Sequence, residues 1–524
     1  MYKFRIINNN KYIEKNGEFK ETSLCKFFDG DIIENNKLYY SEIRNKILVG
    51  YLNTNDTTTY GKVGSRGNIK KLYLVKPFSY NLPNFIVAYK ENAKIKGKVI
   101  IRFKFLNWNS KLPRGAIEGD IIGNLNDDNL EKTLLYHYQI YPKKYKINPM
   151  INPNENKIKR KSITKYKTIS IDPSSNCQDI DDCISYMTKD DFEFIGIHIA
   201  QPTYWLDKND IKNVLKSKFS TLYKLNQQDN LWGEEITKLS SLNPGEKKPA
   251  YSIFFKIYNG KIVKTYDFPS WIKNNHAFNY ESKHKIIDTI LSRTKNFEDF
   301  EGEDTHDLIS YWMIKANQYI GNKIKNSGLP FRVNKLTPNW TLNLDSKINS
   351  IFKLKNSTSA YYSIDETHHG SLDLNNYMHF TSPIRRIIDS IIHYYLTYNI
   401  LIDIDIEKLN FIDSNTKKFH RSIELQNKIN NYEKLNDEIA YIYDMIKPNL
   451  LEVYIESLGF VKLELFNSKF NYQFKFKKDD HKIIIIKENK EITFRIGEKV
   501  NVIIAKVPGF LPKSKIKVLL KNEI

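Results

Sequence analysis

At 524 residues the chain is too long for a single hydrophobic core, and roughly three or four domains are expected. Lysine and arginine total 81 against 60 aspartate and glutamate residues, and the formal net charge of +21 favours a polyanionic partner such as nucleic acid. The three cysteines include no CxxC pair, which argues against a disulfide framework or a zinc ribbon.

Short alternating strands separated by turns predict two small β-barrels at the start of the chain. The first covers residues 1–68 and the second residues 70–142. Their predicted strands lie at 29–33, 37–40 and 46–51, and at 84–89, 97–104 and 120–123. Such barrels are as often protein-binding or spacer modules as RNA binders. Residues 143–167 are polar and basic and predict a solvated connector.

The most informative segment, IDPSSNCQDIDDC at 171–183, places four carboxylates beside a short apolar strand. Alternation puts Asp179 and Asp181 on one side and Asp182 on the other, while Asp172 ends the strand. Like charges this close destabilise the fold unless a cation neutralises them, and oxygen ligands favour Mg²⁺, with Mn²⁺ as the second choice. The segment therefore predicts a metal site. The alternative is a solvated acidic turn.

From residue 168 to about 435 helical patterns join the strands, as in an α/β domain. Ser382 and Pro383 predict the start of the last helix, and an arginine there, Arg385, favours a bound phosphate. The alternative is an ion pair from Arg385 to Asp389, and both interpretations hold if Arg386 makes that pair. The predicted helices lie at 211–218, 284–293, 307–327 and 383–400.

Strands return in the last part of the chain, residues 440–524, and predict a third barrel. They lie at 461–465, 472–476, 482–487, 492–507 and 515–520. The N-terminus lacks the core of a signal peptide, and the apolar runs are too short to span a bilayer. We therefore expect an intracellular, cytoplasmic protein that does not contact a membrane.

Five ordered motifs resemble those of the ribonuclease II and ribonuclease R superfamily, whose catalytic module is the RNB domain. They are DPSSNCQDIDD at 172–182, GIHIAQPT at 196–203, LSSLNPG at 239–245, Met313 with Ala316 and Asn317, and YMHFTSPIRR at 377–386. The first is nearest to the exoribonuclease subunit of the exosome, without the endonuclease domain that precedes the barrels there. The resemblance implies a multidomain fold, with a mixed α/β RNB domain at 168–435 flanked by small OB-fold barrels. Two are cold-shock-like, at 1–68 and 70–142, and a degenerate one lies at 440–524.

The resemblance also implies a function, that of a processive 3′-to-5′ exoribonuclease that hydrolyses single-stranded RNA to nucleoside 5′-monophosphates with metal assistance. Asp172, Asp179, Asp181 and Asp182 match the family's metal-binding aspartates, and Asp181 and Asp182 are also expected to be catalytic. Arg385 matches the family arginine that stabilises charge on the phosphoryl group. We expect a monomer, with a larger RNA-degradation complex as the alternative.

Three further residues match RNA-binding positions of that family. Trp205 matches an aromatic residue that stacks on the terminal nucleotide, and Tyr280 one that lies near the ribose 2′-hydroxyl. Arg386 is expected to contact RNA beside Arg385. Core packing is the alternative for both aromatic residues.

The sequence also departs from the family pattern. The loop between Asp172 and Asp179 is one residue longer than usual, Gln201 replaces an aspartate, and Ile387 replaces a tyrosine. The longer loop favours the alternative function, a catalytically inactive RNB-fold protein that binds RNA or serves in assembly.

Overall fold

The chain forms two units in the computed structural model, residues 1–141 together with 421–524, and residues 142–420. Both ends of the sequence therefore build one unit and the middle builds the other. The structure describes every residue except 8–9, 16–17, 59, 66–67, 80, 92–94, 143–144, 175–177, 337–344, 434, 448–449, 466–473, 479–481, 488–489 and 522–524. Across these described ranges, we find no helix with both the length and the apolar character needed to cross a membrane.

The first unit begins with an open five-stranded sheet. Its strands are β1 Tyr2–Ile7, β2 Asn10–Lys15, β3 Glu18–Glu21, β4 Ile32–Glu34 and β5 Lys37–Tyr40. They pair in the order β3-β2-β1-β4-β5. Helix α1, Glu42–Asn45, follows and leads into the next sheet.

A seven-stranded sheet comes next along the chain. Its strands are β6 Ile47–Asn53, β7 Lys62–Val63, β8 Lys70–Pro77, β9 Phe85–Tyr89, β10 Lys98–Asn107, β11 Arg114–Ile117 and β12 Gly123–Asn124, and helix α2, Leu130–His137, follows them. The strand predicted at 46–51 belongs to this sheet, because β6 pairs with β8 and β10. The predicted boundary at residue 68 therefore falls between paired strands of one sheet.

The middle unit is built around a closed ring of strands. Its strands are β13 Lys161–Ser162, β14 Thr168–Asp172, β15 Asp182–Lys189, β16 Phe192–Ala200, β17 Leu222–Tyr223, β18 Gln228–Asp229, β19 Lys247–Tyr258, β20 Lys261–Asn279, β21 Phe331–Val333, β22 Tyr361–Ser363, β23 His368–His369 and β24 Leu374–Asn375. Six of these strands form one sheet in the order β13-β20-β14-β15-β16-β19, and a further pairing of β19 with β20 closes the ring.

Helices cover this ring and bury its apolar residues. They are α3 Lys208–Leu215, α4 Glu234–Ser240, α5 Lys285–Thr294, α6 Thr305–Lys323, α7 Ser346–Asn356, α8 Ile387–Tyr398 and α9 Ile406–Asn431. Ile197 of the sheet, Trp312 of α6 and Ile388 of α8 all lie fully buried in one continuous core. Three of the predicted helices, at 211–218, 284–293 and 307–327, correspond to α3, α5 and α6.

The predicted solvated connector is wrong for its second half, which packs into the middle unit. Arg160 forms a buried ion pair with Glu155, with Nη2 and Oε1 2.5 Å apart. Its Nη1 also donates to Gln201 Oε1 at 2.7 Å. Strand β13 then pairs with β20. Composition suggested a linker because it cannot reveal that a basic residue has a buried carboxylate partner.

The C-terminal strands are β25 Leu435–Lys447, β26 Leu450–Ile455, β27 Gly459–Glu464, β28 Phe474–Lys478, β29 Lys482–Lys487, β30 Lys490–Arg495, β31 Lys499–Lys506 and β32 Ile516–Leu520. Five of them close a barrel in the order β25-β26-β27-β32-β31, while β28, β29 and β30 form a separate sheet. Part of the strand predicted at 472–476 lies outside the described residues. The multidomain class, with β-barrel sheets on both sides of an α/β domain in sequence, is confirmed.

Candidate active site

The acidic segment lies at one rim of the strand ring because several strands meet there. Strands β14 and β20 run parallel, and Asp172 at the end of β14 pairs with Asn279 at the end of β20. Strand β15 starts at the same rim with Asp182, which pairs with Ile199 near the end of β16. Strand ends therefore place Asp172 and Asp182 on one edge, as expected for a site built on a rigid sheet.

Asp181 lies between these two residues and is almost fully buried. Its Oδ1 accepts the Ile384 backbone N–H at 2.8 Å, and its Oδ2 accepts Arg385 Nε at 3.2 Å. The backbone carbonyl of Asp181 accepts the Ala200 N–H at 2.8 Å. Both carboxylate oxygens of Asp181 are thus used to hold the segment that carries Arg385.

The carboxyl groups of Asp172 and Asp182 are partly ionised near neutral pH. Burial, followed by the charges of Asp182 and Asp179, raises the pKa of Asp172 to about 7. Burial likewise raises the pKa of Asp182 to about 6, although the Arg385 charge opposes the shift. Desolvation disfavours the charged form, and neighbouring carboxylates add repulsion. A nearby cation would favour the ionised form of both carboxylates.

An oxygen-ligated cation fits this set of carboxylates. Among the residues that the structure describes, none donates a hydrogen bond to the buried Asp172 Oδ2, and a buried unsatisfied oxygen costs free energy unless something binds it. The available donors are carboxylate oxygens, which suit a hard cation such as Mg²⁺. Asp172, Asp182 and Asp179 are the residues that would hold it, while Asp181 is already engaged by Arg385.

The four aspartates do not form the tightest group of acids in the described part of the chain. A set of three ligand atoms within 4.8 Å of one another is made instead by Asp304, His306 and Asp307 at the start of α6. That group is a helix cap: Asp304 Oδ1 accepts the Asp307 N–H at 2.9 Å. The four aspartates of the rim interact through their charges, and which of them bind metal stays a prediction.

The segment carrying Arg385 is a turn rather than the start of a helix. Helix α8 begins at Ile387, so the predicted cap at Ser382 and the predicted first position at Pro383 are wrong. Tertiary hydrogen bonds explain the difference, because Asp181 takes the Ile384 N–H and the Arg385 carbonyl accepts the Thr221 N–H at 3.0 Å. The turn leaves the Arg385 side chain 46 % exposed at the rim.

The neighbouring arginine, Arg386, has a different environment. Its Nη2 donates to Asp389 Oδ1 at 2.9 Å, and the Asp389 side chain is fully buried. Asp389 Oδ1 also accepts the Ser382 N–H at 2.8 Å. The ion pair with Asp389 is therefore made by Arg386 and not by Arg385, while a phosphate contact of Arg385 stays a prediction. The predicted contact of Arg386 with RNA stays a prediction.

Trp205 and Tyr280 are both half-buried against the core of the middle unit. The Trp205 ring lies 4.8 Å from that of Tyr204, and its buried Nε1 has no hydrogen-bond partner within the described part of the chain. Tyr280 directly follows Asn279 at the rim, and its ring lies 5.1 Å from His306. Core packing accounts for part of both side chains, and their contact with RNA stays a prediction.

Sequence reasoning missed Tyr223, which lies at the site. Its hydroxyl donates to Asp179 Oδ2 at 3.3 Å. It also missed the contact of Gln201, whose side-chain oxygen accepts from Arg160 Nη1. No local signal reveals the contact of Tyr223 with Asp179 or that of Gln201 with Arg160, since the partners lie tens of residues apart in the sequence.

Comparison with known proteins supports the same interpretation. The model of the RNB domain family matches residues 160–301 and 292–402. Ribonuclease R of Chlamydia pneumoniae is 25 % identical over 327 residues, 47 % of this chain and 48 % of that protein. Ribonuclease R of Aquifex aeolicus is 22 % identical over 601 aligned positions, 91 % and 83 % of the two chains. The chain spans about half the length of the first relatives it matches.

Solved structures show the same fold. Mycoplasma genitalium RNase R in complex with ribose-methylated single-stranded RNA has a TM-score of 0.72 at 16 % identity, covering 99 % of this chain and 100 % of that one. Yeast Ssd1, described as a pseudonuclease, has a TM-score of 0.64 at 14 % identity, covering 88 % and 78 %. Residues 160–402 thus match the RNB domain family, and the fold is similar to that of these RNase R structures. The curated relatives that the chain resembles in sequence are ribonucleases R.

Proposed function

We propose that this protein is a metal-dependent exoribonuclease that shortens single-stranded RNA processively from its 3′ end and releases nucleoside 5′-monophosphates. The observation that carries the proposal is the meeting of Asp172 and Asp182, with raised pKa values, and the half-exposed Arg385 at one rim of the strand ring. Acids that hold a cation beside a half-exposed guanidinium are the groups that hydrolysis of a phosphodiester needs.

The side chains have separate roles in this proposal. Asp172, Asp179 and Asp182 would hold a divalent cation, Mg²⁺ or Mn²⁺, which when bound activates water and neutralises phosphate charge. Asp181 accepts from Arg385 Nε and fixes the guanidinium. Arg385 Nη2 also donates to Ser382 Oγ at 3.0 Å, and the other N–H groups of the guanidinium would donate to a phosphoryl oxygen, where negative charge develops in the transition state.

Binding of the RNA would depend on other features. Trp205 and Tyr280 are the proposed stacking and ribose contacts, and the net charge of +21 favours the phosphate backbone. We propose cold-shock-like barrels in the N-terminal region and an OB barrel at 440–524 as the modules that guide the strand. The protein would act as a monomer or within an RNA-degradation complex, in the cytoplasm.

The test uses 5′-labelled single-stranded RNA incubated with Mg²⁺ and followed by product length over time. The proposal expects a 5′-labelled product that shortens to a short undegraded core, and no reaction after chelation. Primary products of intermediate length cut at internal positions would show an endonuclease and reject the proposal. Matched binding measurements by fluorescence anisotropy separate lost catalysis from lost affinity.

The second candidate is an RNA-binding or assembly protein without nuclease activity. The likeness to Ssd1, a pseudonuclease by its description, favours it. The longer loop between Asp172 and Asp179, whose residues 175–177 lie outside the described residues, is the sequence feature that supports it. In the same assay this candidate expects RNA binding with no shortening at any Mg²⁺ concentration.

A further inference from the structure

His420 lies outside every motif that the sequence singled out, yet it contacts the residue that holds Asp179. Its Nε2 accepts the Tyr223 backbone N–H at 3.2 Å, and the two rings lie 5.5 Å apart. Burial lowers the pKa of His420, so the ring is neutral at physiological pH and one ring nitrogen is free to accept. The contact therefore fixes the backbone of Tyr223 from α9.

Tyr223 connects this contact to the acid site. It lies on the two-residue strand β17, and its hydroxyl donates to Asp179 Oδ2 at 3.3 Å. One residue before β17, the Thr221 N–H donates to the Arg385 carbonyl at 3.0 Å. The short segment from Thr221 to Tyr223 thus touches both the arginine turn and one of the proposed metal ligands.

Helix α9, which carries His420, is held in place by buried contacts. Phe419, next to His420 on α9, is fully buried. Seven residues before His420, Asp413 forms a buried ion pair with Arg332, with Oδ2 and Nη1 3.0 Å apart, and Lys417 also contacts Asp413. Because α9 is anchored in this way, His420 offers Tyr223 a fixed point, whereas β17 by itself is only a two-stranded ribbon with β18.

We propose that His420 is a positioning residue for the metal-binding carboxylates, which holds Tyr223 so that its hydroxyl orients Asp179. The inference rests on the proposed metal site and deepens it by adding the residues that support one ligand. Groups that orient a metal ligand change metal affinity by roughly 10- to 100-fold when they are removed. A residue that only packs the β17–β18 ribbon would change the melting temperature and leave metal affinity alone.

The test measures the affinity of the protein for Mn²⁺ in the absence of RNA, with free Mn²⁺ quantified by electron paramagnetic resonance. Three variants separate the steps: Tyr223→Phe keeps the ring and removes the hydroxyl, His420→Phe keeps a ring and removes the acceptor, and His420→Gln restores an acceptor. We expect Tyr223→Phe and His420→Phe to weaken Mn²⁺ binding by about tenfold, the low end of the range for such supporting groups, and His420→Gln to recover most of it.

A double-mutant cycle provides the control. In an Asp179→Asn background, His420→Phe should change Mn²⁺ affinity no further, because both act through the same carboxylate. In RNA cleavage, His420→Phe should raise the Mg²⁺ concentration needed for half-maximal rate, while KM for RNA stays unchanged.

The outcomes distinguish this inference from the proposed activity. If Mn²⁺ binding depends on Asp179 and weakens in His420→Phe, the inference is supported. If the wild type at the same time cleaves no RNA, the proposed exoribonuclease activity is rejected. Cleavage by the wild type with unchanged Mn²⁺ affinity in His420→Phe overturns the inference alone. A wild type that binds no Mn²⁺, or a His420→Phe variant that loses only melting temperature, also overturns it.

Discussion

Two acidic clusters in the middle unit resemble each other in sequence and differ in their surroundings. Near the start of α6, Asp304 Oδ1 accepts the Asp307 N–H of the first helical turn, and Asp307 Oδ2 accepts the Glu303 N–H that precedes the helix. At the rim of the strand ring, burial raises the pKa of Asp172 and Asp182, and no described residue donates to Asp172 Oδ2. The backbone thus satisfies the acids of the first cluster, whereas the second cluster has a buried oxygen that a ligand could bind.

The largest expected effect separates the two clusters directly. Asp182→Asn should lower RNA cleavage by about a thousandfold or more, because water activation by a bound cation contributes several kcal/mol to catalysis. Asp307→Asn should leave cleavage unchanged and cost about 0.5 kcal/mol of stability at the helix start. Steady-state cleavage rates and thermal melts of both variants test this. Equal loss of activity in the two variants would remove the distinction.

The adjacent arginines offer a second contrast of the same kind. Arg385 is 46 % exposed, whereas Arg386 is 19 % exposed and pairs with the buried Asp389. Arg385→Ala should lower cleavage roughly 100- to 1000-fold with RNA affinity nearly unchanged, as expected for a lost donor to the transition state. Arg386→Ala should instead destabilise the fold by about 3 kcal/mol, since it leaves the Asp389 charge unpaired.

Urea unfolding and single-turnover kinetics of the two arginine variants check this contrast. The opposite pattern, in which Arg385→Ala unfolds easily and Arg386→Ala folds normally but is inactive, would exchange the roles assigned to them.

The raised pKa values of the rim acids predict how stability depends on pH and metal. The folded-state pKa of Asp172, about 7, and that of Asp182, about 6, lie above the ordinary aspartate value of 3.8, so the folded state binds more protons than the unfolded state between these values. Without metal, the free energy of unfolding should therefore fall as pH rises from about 4 to about 7. A bound cation offsets the repulsion, so Mg²⁺ should raise the melting temperature more at about pH 8 than at about pH 5.

Calorimetry of the wild type and of Asp172→Asn tests this dependence. The variant should lose most of the difference between the two pH values. A Mg²⁺ effect that is independent of pH, or that persists in the variant, would place the cation elsewhere.

The smallest expected effect concerns Trp205. Trp205→Ala should lengthen the shortest undegraded product, because stacking contributes roughly 1 to 3 kcal/mol per base and matters most for a short remnant. Initial cleavage of a long RNA should be affected less. Gel analysis of the final products tests it, with Tyr204→Ala, the neighbouring ring, as a control for packing. Equal loss on long and short RNA with a lower melting temperature would assign Trp205 to the core.

The sequence predicted where strands lie better than it predicted which strands pair. Strands within the barrels were largely placed correctly, yet the strand at β6 was assigned to the wrong sheet, because alternation marks a strand without naming its partners. Helix α8 was placed four residues too early, since Ser382 and Pro383 carry the local signal of a helix start while Asp181 and Thr221 hold the turn in another conformation.

The residues of the site were predictable where their types repeat a known motif, as for Asp172, Asp182 and Arg385. Tyr223 and His420 were not, because each acts through a contact between segments that are distant in the sequence. The ion pair of Arg386 was partly predictable from the sequence. Spacing allowed a pair with Asp389, and only the buried geometry decided which arginine forms it.

The central claim is that the rim acids and Arg385 hydrolyse RNA from its 3′ end. It is tested most directly by following an RNA labelled at its last phosphodiester during digestion by the wild type and by Asp182→Asn. The account predicts that, with the wild type, the label appears first in a nucleoside 5′-monophosphate and that chelation prevents this release. The Asp182→Asn variant should bind the RNA but release no labelled nucleotide. Label that appears first in longer fragments, or that stays in full-length RNA with the wild type and Mg²⁺, would contradict it.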